Sequence, residues 1–280
     1  MLPNFIVIGA AKCGTTSLCD LLAGHAEIFF SNPKEPRYFS NEERYGDADF
    51  RESYEELFAA AAMELMVGEG TTTYTHPEIA GTVAGRIAED IPNCKLIFMV
   101  RHPIRRLESD WRMRCYEGWA PADINAAVRE NRSLITHSLF AQNLHPYLQL
   151  FPREHIHVVF LEDLAADASR TLRQCLDFLG VNTEIALDDP GRRRNDSSRF
   201  RKDSSLSAKM RESNVLARIR DHLPAAVTRV IKRLLTREMA HEPRWEKGCL
   251  DEVHTAIRED AKKFLEQSGK PVDFWEFRAR

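Results

Sequence analysis

The sequence contains no apolar run approaching the ~18 residues that a membrane span needs, so no transmembrane segment is expected. No basic stretch opens it either. MLPNFIVIGAAKCG runs straight into a glycine loop, which reads as a strand rather than a secretory leader. There is no cysteine framework: Cys13, Cys19, Cys94, Cys115, Cys175 and Cys249 are scattered through 280 residues without one C-x-x-C pair. That fits reduced thiols in a cytoplasm better than a disulfide framework. There is no H-E-x-x-H, and the ten histidines do not cluster at ligand intervals, so no metal is expected. An excess of one charge is missing too. The net charge of -3 gives no reason to expect a nucleic-acid partner. Repeats and low-complexity tracts are absent, and nothing speaks to oligomeric state.

What is present is an alternation of short apolar runs and helical patterns. Asn4 to Gly9 is an apolar, β-branched run ending in glycine, so it reads as a buried strand. Thr15 to Leu22 reads as a helix with Leu18, Leu21 and Leu22 on one face. Ile28 to Ser31 and LMVGEG read as further strands. SYEELFAAAAM reads as a helix with Ser53 as N-cap and Glu56 three residues on. PEIAGTVAGRIAED reads as a helix with Pro77 at its start, and Lys95 to Arg101 as a strand of five consecutive apolar residues between two cations. PIRRLESDWRMRCYEG follows as a helix opened by Pro103 and closed near Gly118. Two more helices are expected between Ala122 and Leu150, then a strand in HIHVVFLEDL and a helix in SRTLRQCLDFLG. After Val181 the pattern changes. PGRRRNDSSRFRKDSS is basic and serine-rich and reads as a loop; three helices are expected beyond it, the last in LDEVHTAIREDAKKFLEQSG. The fold class is therefore α/β: a P-loop-like central parallel sheet flanked by helices, with a helical C-terminal part. One domain is expected over 1–280, its core about 4–180 and the basic loop and C-terminal helices over 181–280.

Four stretches carry chemistry. The loop GAAKCGTTSL joins a strand to a helix, which aims backbone N–H groups and a helix N-terminus at one spot suited to an anion. Lys12 adds a cation, and Thr15, Thr16 and Ser17 add hydroxyls. The order is not that of a Walker loop, because Lys12 precedes Gly14 rather than following it. In MVRHPIRRLESDW, Arg101 stands at the end of a buried strand, where a P-loop NTPase often places a magnesium-binding aspartate. A cation there calls for a second anion at the crevice along the strand ends; Ser109 follows about two helical turns on. Third, Arg192, Arg193, Arg194, Arg199, Arg201 and Lys202 crowd the basic loop and could close over an anionic ligand. Fourth, Glu35 in NPKEPRYF lies just past a strand, placed to accept a proton from an incoming hydroxyl. Each has a plainer reading as a solvated turn, a surface ion pair or a surface carboxylate.

With these residues on the page, the chain resembles sulfotransferases that use 3'-phosphoadenosine 5'-phosphosulfate (PAPS), in particular the bacterial and heparan-sulfate-type branch. KCGTTSL is similar to that family's 5'-phosphosulfate loop, VRHPIRRLESDW to its 3'-phosphate motif, and KEPRYF to the segment bearing a catalytic glutamate. VGEGTTTY and FPREHIHVVFLEDL fall in family order. Several heparan-type relatives carry a lysine where this chain reads Gly68-Glu69-Gly70-Thr71-Thr72, and many have aspartate at the position of His102.

The resemblance implies a PAPS donor, giving 3'-phosphoadenosine 5'-phosphate (PAP), with no metal. Lys12, Cys13, Gly14, Thr15, Thr16 and Ser17 would hold its 5' end. Arg101 and Ser109, with Arg199 and Arg201 chosen by position, would hold the 3'-phosphate. The implied reaction is in-line sulfuryl transfer to a hydroxyl, or alternatively an amine, of a carbohydrate or other small-molecule acceptor. Glu35 would be the base and Lys12 the stabiliser of the leaving phosphate. His102 and His76 are the alternative bases. Two rivals stay open: a P-loop kinase-like phosphotransferase and a non-catalytic nucleotide-binding protein on the same fold.

Overall fold

The computed structural model describes residues 1–184 and 242–277 with their side chains, and the backbone of 201–203 and 236–238. The chain divides into two compact units: Met1–Leu107 with Arg132–Asn195 and Lys247–Arg280, and Glu108–Asn131 with Asp196–Glu246.

The first unit is built on a parallel sheet of β1 (Phe5–Gly9), β2 (Ile28–Phe30), β3 (Met66–Gly70), β4 (Lys95–Val100) and β5 (Ile156–Phe160), in the spatial order β2-β3-β1-β4-β5. Every residue of β1 and β3 is buried, as strands enclosed on both faces of a parallel sheet should be, Glu69 of β3 included. β1 is central, with Val7 opposite Gly70 on one side and Ile97 on the other. The chain passes from β1 to β2 and β3, then crosses to β4 on the far side. That reversal marks the switch point at which open α/β sheets bind ligands. The loops after β1, β3 and β4 all leave from this end.

Helices α1 (Thr15–Leu22), α2 (Ala48–Glu56) and α3 (Ala80–Asp90) link the first strands, with a short 3-10 turn at Thr72–Thr75. α4 is Pro103–Glu117, and the boundary between the units falls within it. α6 (Ser133–Thr136), α7 (Phe140–Leu150), α8 (Leu161–Ala166), α9 (Ala168–Leu179) and α10 (Lys247–Gln267) complete the unit; α5 (Ile124–Glu130) belongs to the second. The Asp260 carboxylate on α10 accepts from the N–H groups of Ala141 and Gln142 at 3.0 and 2.9 Å, capping α7. Phe98, Phe140, Phe264 and Trp275 pack ring against ring over the sheet. In the second unit Trp245 Nε1 donates to Glu108, and Arg129 pairs with Glu246. β6 (Arg201–Asp203) pairs antiparallel with β7 (Thr236–Glu238).

The five sheet strands and α1 lie where the sequence places them. Differences are local. α2 starts at Ala48, capped by the Asp47 carboxylate accepting from Asp49 N–H, and stops at Glu56. Ser53 is an interior residue whose hydroxyl donates to the Asp49 carbonyl. The alanines that follow have helix propensity but, largely exposed, no face to bury, and packing is what sustains a short helix. HIHVVFLEDL is strand only to Phe160. Glu162 and Asp163 fall in the first turn of α8, where acidic residues favour a helix start. Three helices, not two, occupy 122–150. The expected basic loop contains a strand at 201–203. The two helices expected before α10 lie outside the described residues. All six cysteines are buried thiols. Among the described residues no helix is long and apolar enough to cross a membrane.

Candidate active site

The loop after β1 is fastened from both sides. Ala10 N–H donates to Met99 O on β4 at 2.7 Å, and Cys13 N–H turns back to Ala10 O at 3.3 Å. Lys12 sits between them at φ 70°, a left-handed conformation uncommon for a residue with a side chain. Gly14 follows at φ 92°. A Cβ there would come within 2.9 Å of Leu161 Cδ1 and 3.1 Å of Met99 Cε, so glycine is required by both conformation and space. Gly14 is also the N-cap of α1, and no side chain caps that helix. The helix therefore presents its first N–H groups and its positive dipole end to the crevice, beside Thr15, Thr16 and Ser17. Cys13 contributes differently from its neighbours. Its thiol is fully buried and pushed up to about 12 by that burial, with Arg106 and Arg101 pulling the other way. It is an inert packing group.

Arg101 follows β4 directly. Its Nη1 donates to the backbone carbonyl oxygen of Lys12 at 3.2 Å, which ties the end of β4 to the loop after β1. Arg106, one turn further, is wholly buried. It donates to Ser138 Oγ at 2.6 Å and to the Leu134 carbonyl at 2.9 Å, so its role is to tie α4 to α6. Ser109 is buried in the second unit.

Glu35 stands at the end of the β2 segment. Its backbone is pinned by donation to Gly70 O at 3.1 Å and held at φ 61°. Arg37 is also left-handed, at φ 58°. These two and Lys12 are the non-glycine residues with positive φ among the described residues, and such strain concentrates at functional sites. The Glu35 carboxylate accepts from Thr72 Oγ1 at 2.9 Å and from Arg37 Nη2 at 3.2 Å.

Lys34 was not singled out by the sequence, although it lies inside the quoted NPKEPRYF segment. Its ammonium donates to Thr15 Oγ1 at 3.3 Å and Thr16 Oγ1 at 3.2 Å, and stands 3.9 Å from Glu35 Oε1. A cation at a helix N-terminus opposes the helix dipole, and an anion bound there would offset it. Only the return of the chain from β2 across α1 brings Lys34 there.

Below Glu35 lies a buried carboxylate. Glu69 on β3 is fully enclosed. It accepts from Thr71 Oγ1 at 2.7 Å, Tyr74 Oη at 2.8 Å and Tyr54 Oη at 3.3 Å. Burial pushes it up to about 7; the three hydroxyls pull it down and the Glu35 charge pushes it further up. Thr71 Oγ1 in turn lies 3.4 Å from Arg37 N, as acceptor. Glu69 thus supports the backbone that presents Glu35. The missing lysine of this segment has a steric reason: a Cβ on Gly70 would lie 2.9 Å from Cys19 Sγ and 3.3 Å from Phe30.

The histidines considered as bases are committed elsewhere. His102 Nε2 is 3.0 Å from Glu276 O, its Nδ1 accepts from Ile104 N–H, and its ring packs on Phe277. His76 stacks on His137 with centroids 4.0 Å apart. The fold thus brings together two histidines 61 residues apart, which no spacing along the sequence marks. Arg192, Arg193, Arg194 and Arg199 lie outside the described residues, as do the side chains of Arg201 and Lys202.

A strand-loop-helix anion site and a second cation at the next strand end now stand on one sheet edge. A sequence model described as the sulfotransferase family matches residues 3–184. The chain belongs to the sulfotransferase family. It is 24% identical over 247 residues to human carbohydrate sulfotransferase 15, covering 64% of this chain and 44% of the relative. It is 28% identical over 193 residues to mouse heparan sulfate glucosamine 3-O-sulfotransferase 3B1, covering 66% and 47%. The chain thus spans less than half the length of these relatives. Among solved structures, a sulfotransferase from Alicyclobacillus acidocaldarius superposes with a TM-score of 0.70 at 21% identity, over 98% of this chain and 99% of that one. A mouse sulfotransferase complexed with PAP superposes at 0.51 and 13%, over 95% and 88%. These two likenesses establish the shared fold.

Proposed function

We propose that this sulfotransferase moves the sulfuryl group of PAPS to a hydroxyl of a carbohydrate acceptor. The observation that carries the reading is the position of Lys34, which bridges the α1 hydroxyls of Thr15 and Thr16 to the Glu35 carboxylate. Donor cradle and base are therefore parts of one constellation. The carbohydrate class rests on the relatives named above; a small-molecule alcohol is the alternative within the same chemistry.

In the proposed step the acceptor oxygen attacks sulfur while the bond from sulfur to the 5'-phosphate oxygen breaks. The acceptor proton passes to Glu35, and the electron pair of the broken bond goes to PAP. Lys12 and Lys34 stabilise the charge that grows on the departing phosphate. The N-terminal N–H groups and hydroxyls of α1 orient the phosphosulfate. Arg101 takes the 3'-phosphate. Arg37 and Thr72 fix the Glu35 carboxylate so that one oxygen keeps a defined direction.

The test is an acceptor panel of sugars, glycosaminoglycan fragments and simple alcohols with sulfur-labelled PAPS. Label transferred to a hydroxyl of a sugar supports the reading. Tight PAP binding with no transfer and no PAPS breakdown would favour a binding protein, and transfer of phosphate from magnesium-ATP a kinase.

A further inference from the structure

Outside the nucleotide crevice, one convergence of ligand-type side chains among the described residues goes unused by the sulfuryl reaction. His76 ends the 3-10 turn Thr72–Thr75, Glu78 precedes α3, and His137 ends α6. One ligand atom from each lies within 4.8 Å of the others. The imidazoles are stacked at 4.0 Å with planes 21° apart, and His137 Nε2 is 3.4 Å from Glu78 Oε2. Tetrahedral zinc with bonds of about 2.0–2.2 Å sets its ligands about 3.4 Å apart, so the Glu78–His137 separation already matches. The other ligand-atom separations are 4.8 Å or less. Two neutral imidazoles and one carboxylate form a donor set for a borderline divalent ion. The surroundings favour it: His137 is largely buried at 10% exposure while Glu78 is 58% exposed, giving a fixed nitrogen and an open approach.

We propose that His76, Glu78 and His137 bind one divalent transition-metal ion, zinc being the best match, with the fourth position open to water. The three ligands come from two segments that are remote in sequence, so the ion fastens the turn at 72–76 to the end of α6. That turn carries Thr72, the hydroxyl donor to Glu35, and Tyr74. Tyr74 donates to Glu69 through its hydroxyl, and its carbonyl accepts from Tyr147 Oη at 2.8 Å. The ion therefore acts as a structural clamp on the base-bearing side of the crevice rather than as a participant in the transfer. The site stands on these contacts whichever acceptor the enzyme uses.

The experiment uses the full chain freed of metal by chelation. Zinc is titrated by calorimetry and cobalt by visible absorption, alongside His137→Ala and Glu78→Gln. Glu78 is largely exposed, so its variant keeps the fold; metal-free melting of all three proteins verifies this. The expected result is one ion per chain, cobalt bands of a four- or five-coordinate ion, and a melting temperature raised by zinc in the wild type. Zinc affinity falls at least about tenfold in Glu78→Gln and further in His137→Ala, since even a supporting partner of a metal ligand is worth about 10–100-fold. Absence of stoichiometric binding, or zinc binding in both variants as strong as in the wild type, overturns the proposal.

Discussion

Arg101 Nη1 donates to the backbone carbonyl of Lys12 at 3.2 Å. The residue assigned to the 3'-phosphate thus also supports the loop assigned to the 5' end. On the proposed reading, one hydrogen bond couples the two ends of the nucleotide site.

Arg101→Ala is therefore expected to weaken PAP more than adenosine 5'-phosphate, while weakening both. Loss of a charged hydrogen bond is worth ~1.5–3 kcal/mol, and that margin should separate the two ligands in calorimetry. Equal losses would leave Arg101 as a loop support only.

Lys12→Ala should lower turnover ~10²-fold or more, since one preorganised contact to a developing charge is worth ~3 kcal/mol. Lys34→Met should show a comparable loss, although the sequence alone did not point to it. Steady-state rates with PAPS check both; wild-type turnover in Lys34→Met would remove the bridge from the mechanism.

Glu35→Gln keeps the shape and the Thr72 bond but cannot take a proton. A general base contributes roughly 10²–10⁴-fold, so turnover should fall while PAP affinity holds. Loss of both together would make Glu35 a donor-site contact, and intact turnover would place the base elsewhere.

Glu69 supplies a pH signature. Its folded-state value is raised to about 7 from 4.5, so it binds more protons folded than unfolded between those values. Its contribution to stability is present below pH 4.5 and is lost as pH rises through 7. His157, lowered to about 4 chiefly by burial, has the opposite slope, so wild-type stability alone would mask the effect. The comparison with Glu69→Gln isolates it: the variant should gain on the wild type as pH goes from 5 to 8, by an amount on the order of 3 kcal/mol at most. Denaturant unfolding at both pH values measures this, and parallel curves would contradict the buried-acid assignment.

The sheet strands, α1 and the glycine loop between β1 and α1 were legible because apolar runs and a glycine turn are local signals. Arg101 was legible because a cation directly after β4 has one place to go. Lys34, Thr72 and Glu69 were not. Each gains its role from neighbours contributed by other segments: α1 for Lys34, the β2 end for Thr72, and α2 with the 72–75 turn for Glu69. The histidine pair His76 and His137 was hidden for the same reason, since no spacing rule spans two separate turns. The end of α2 was misjudged because alanine propensity is local, whereas helix length is set by what the helix can bury.

The central claim is that the crevice holds a nucleotide with an anion at each end. The most direct measurement is calorimetric titration of the wild-type chain with PAP, adenosine 5'-phosphate and ATP, each with and without magnesium. The account predicts that PAP binds roughly 10–100-fold tighter than adenosine 5'-phosphate, and that magnesium leaves this unchanged. Equal affinity for the two, or tightest binding by magnesium-ATP, would contradict it.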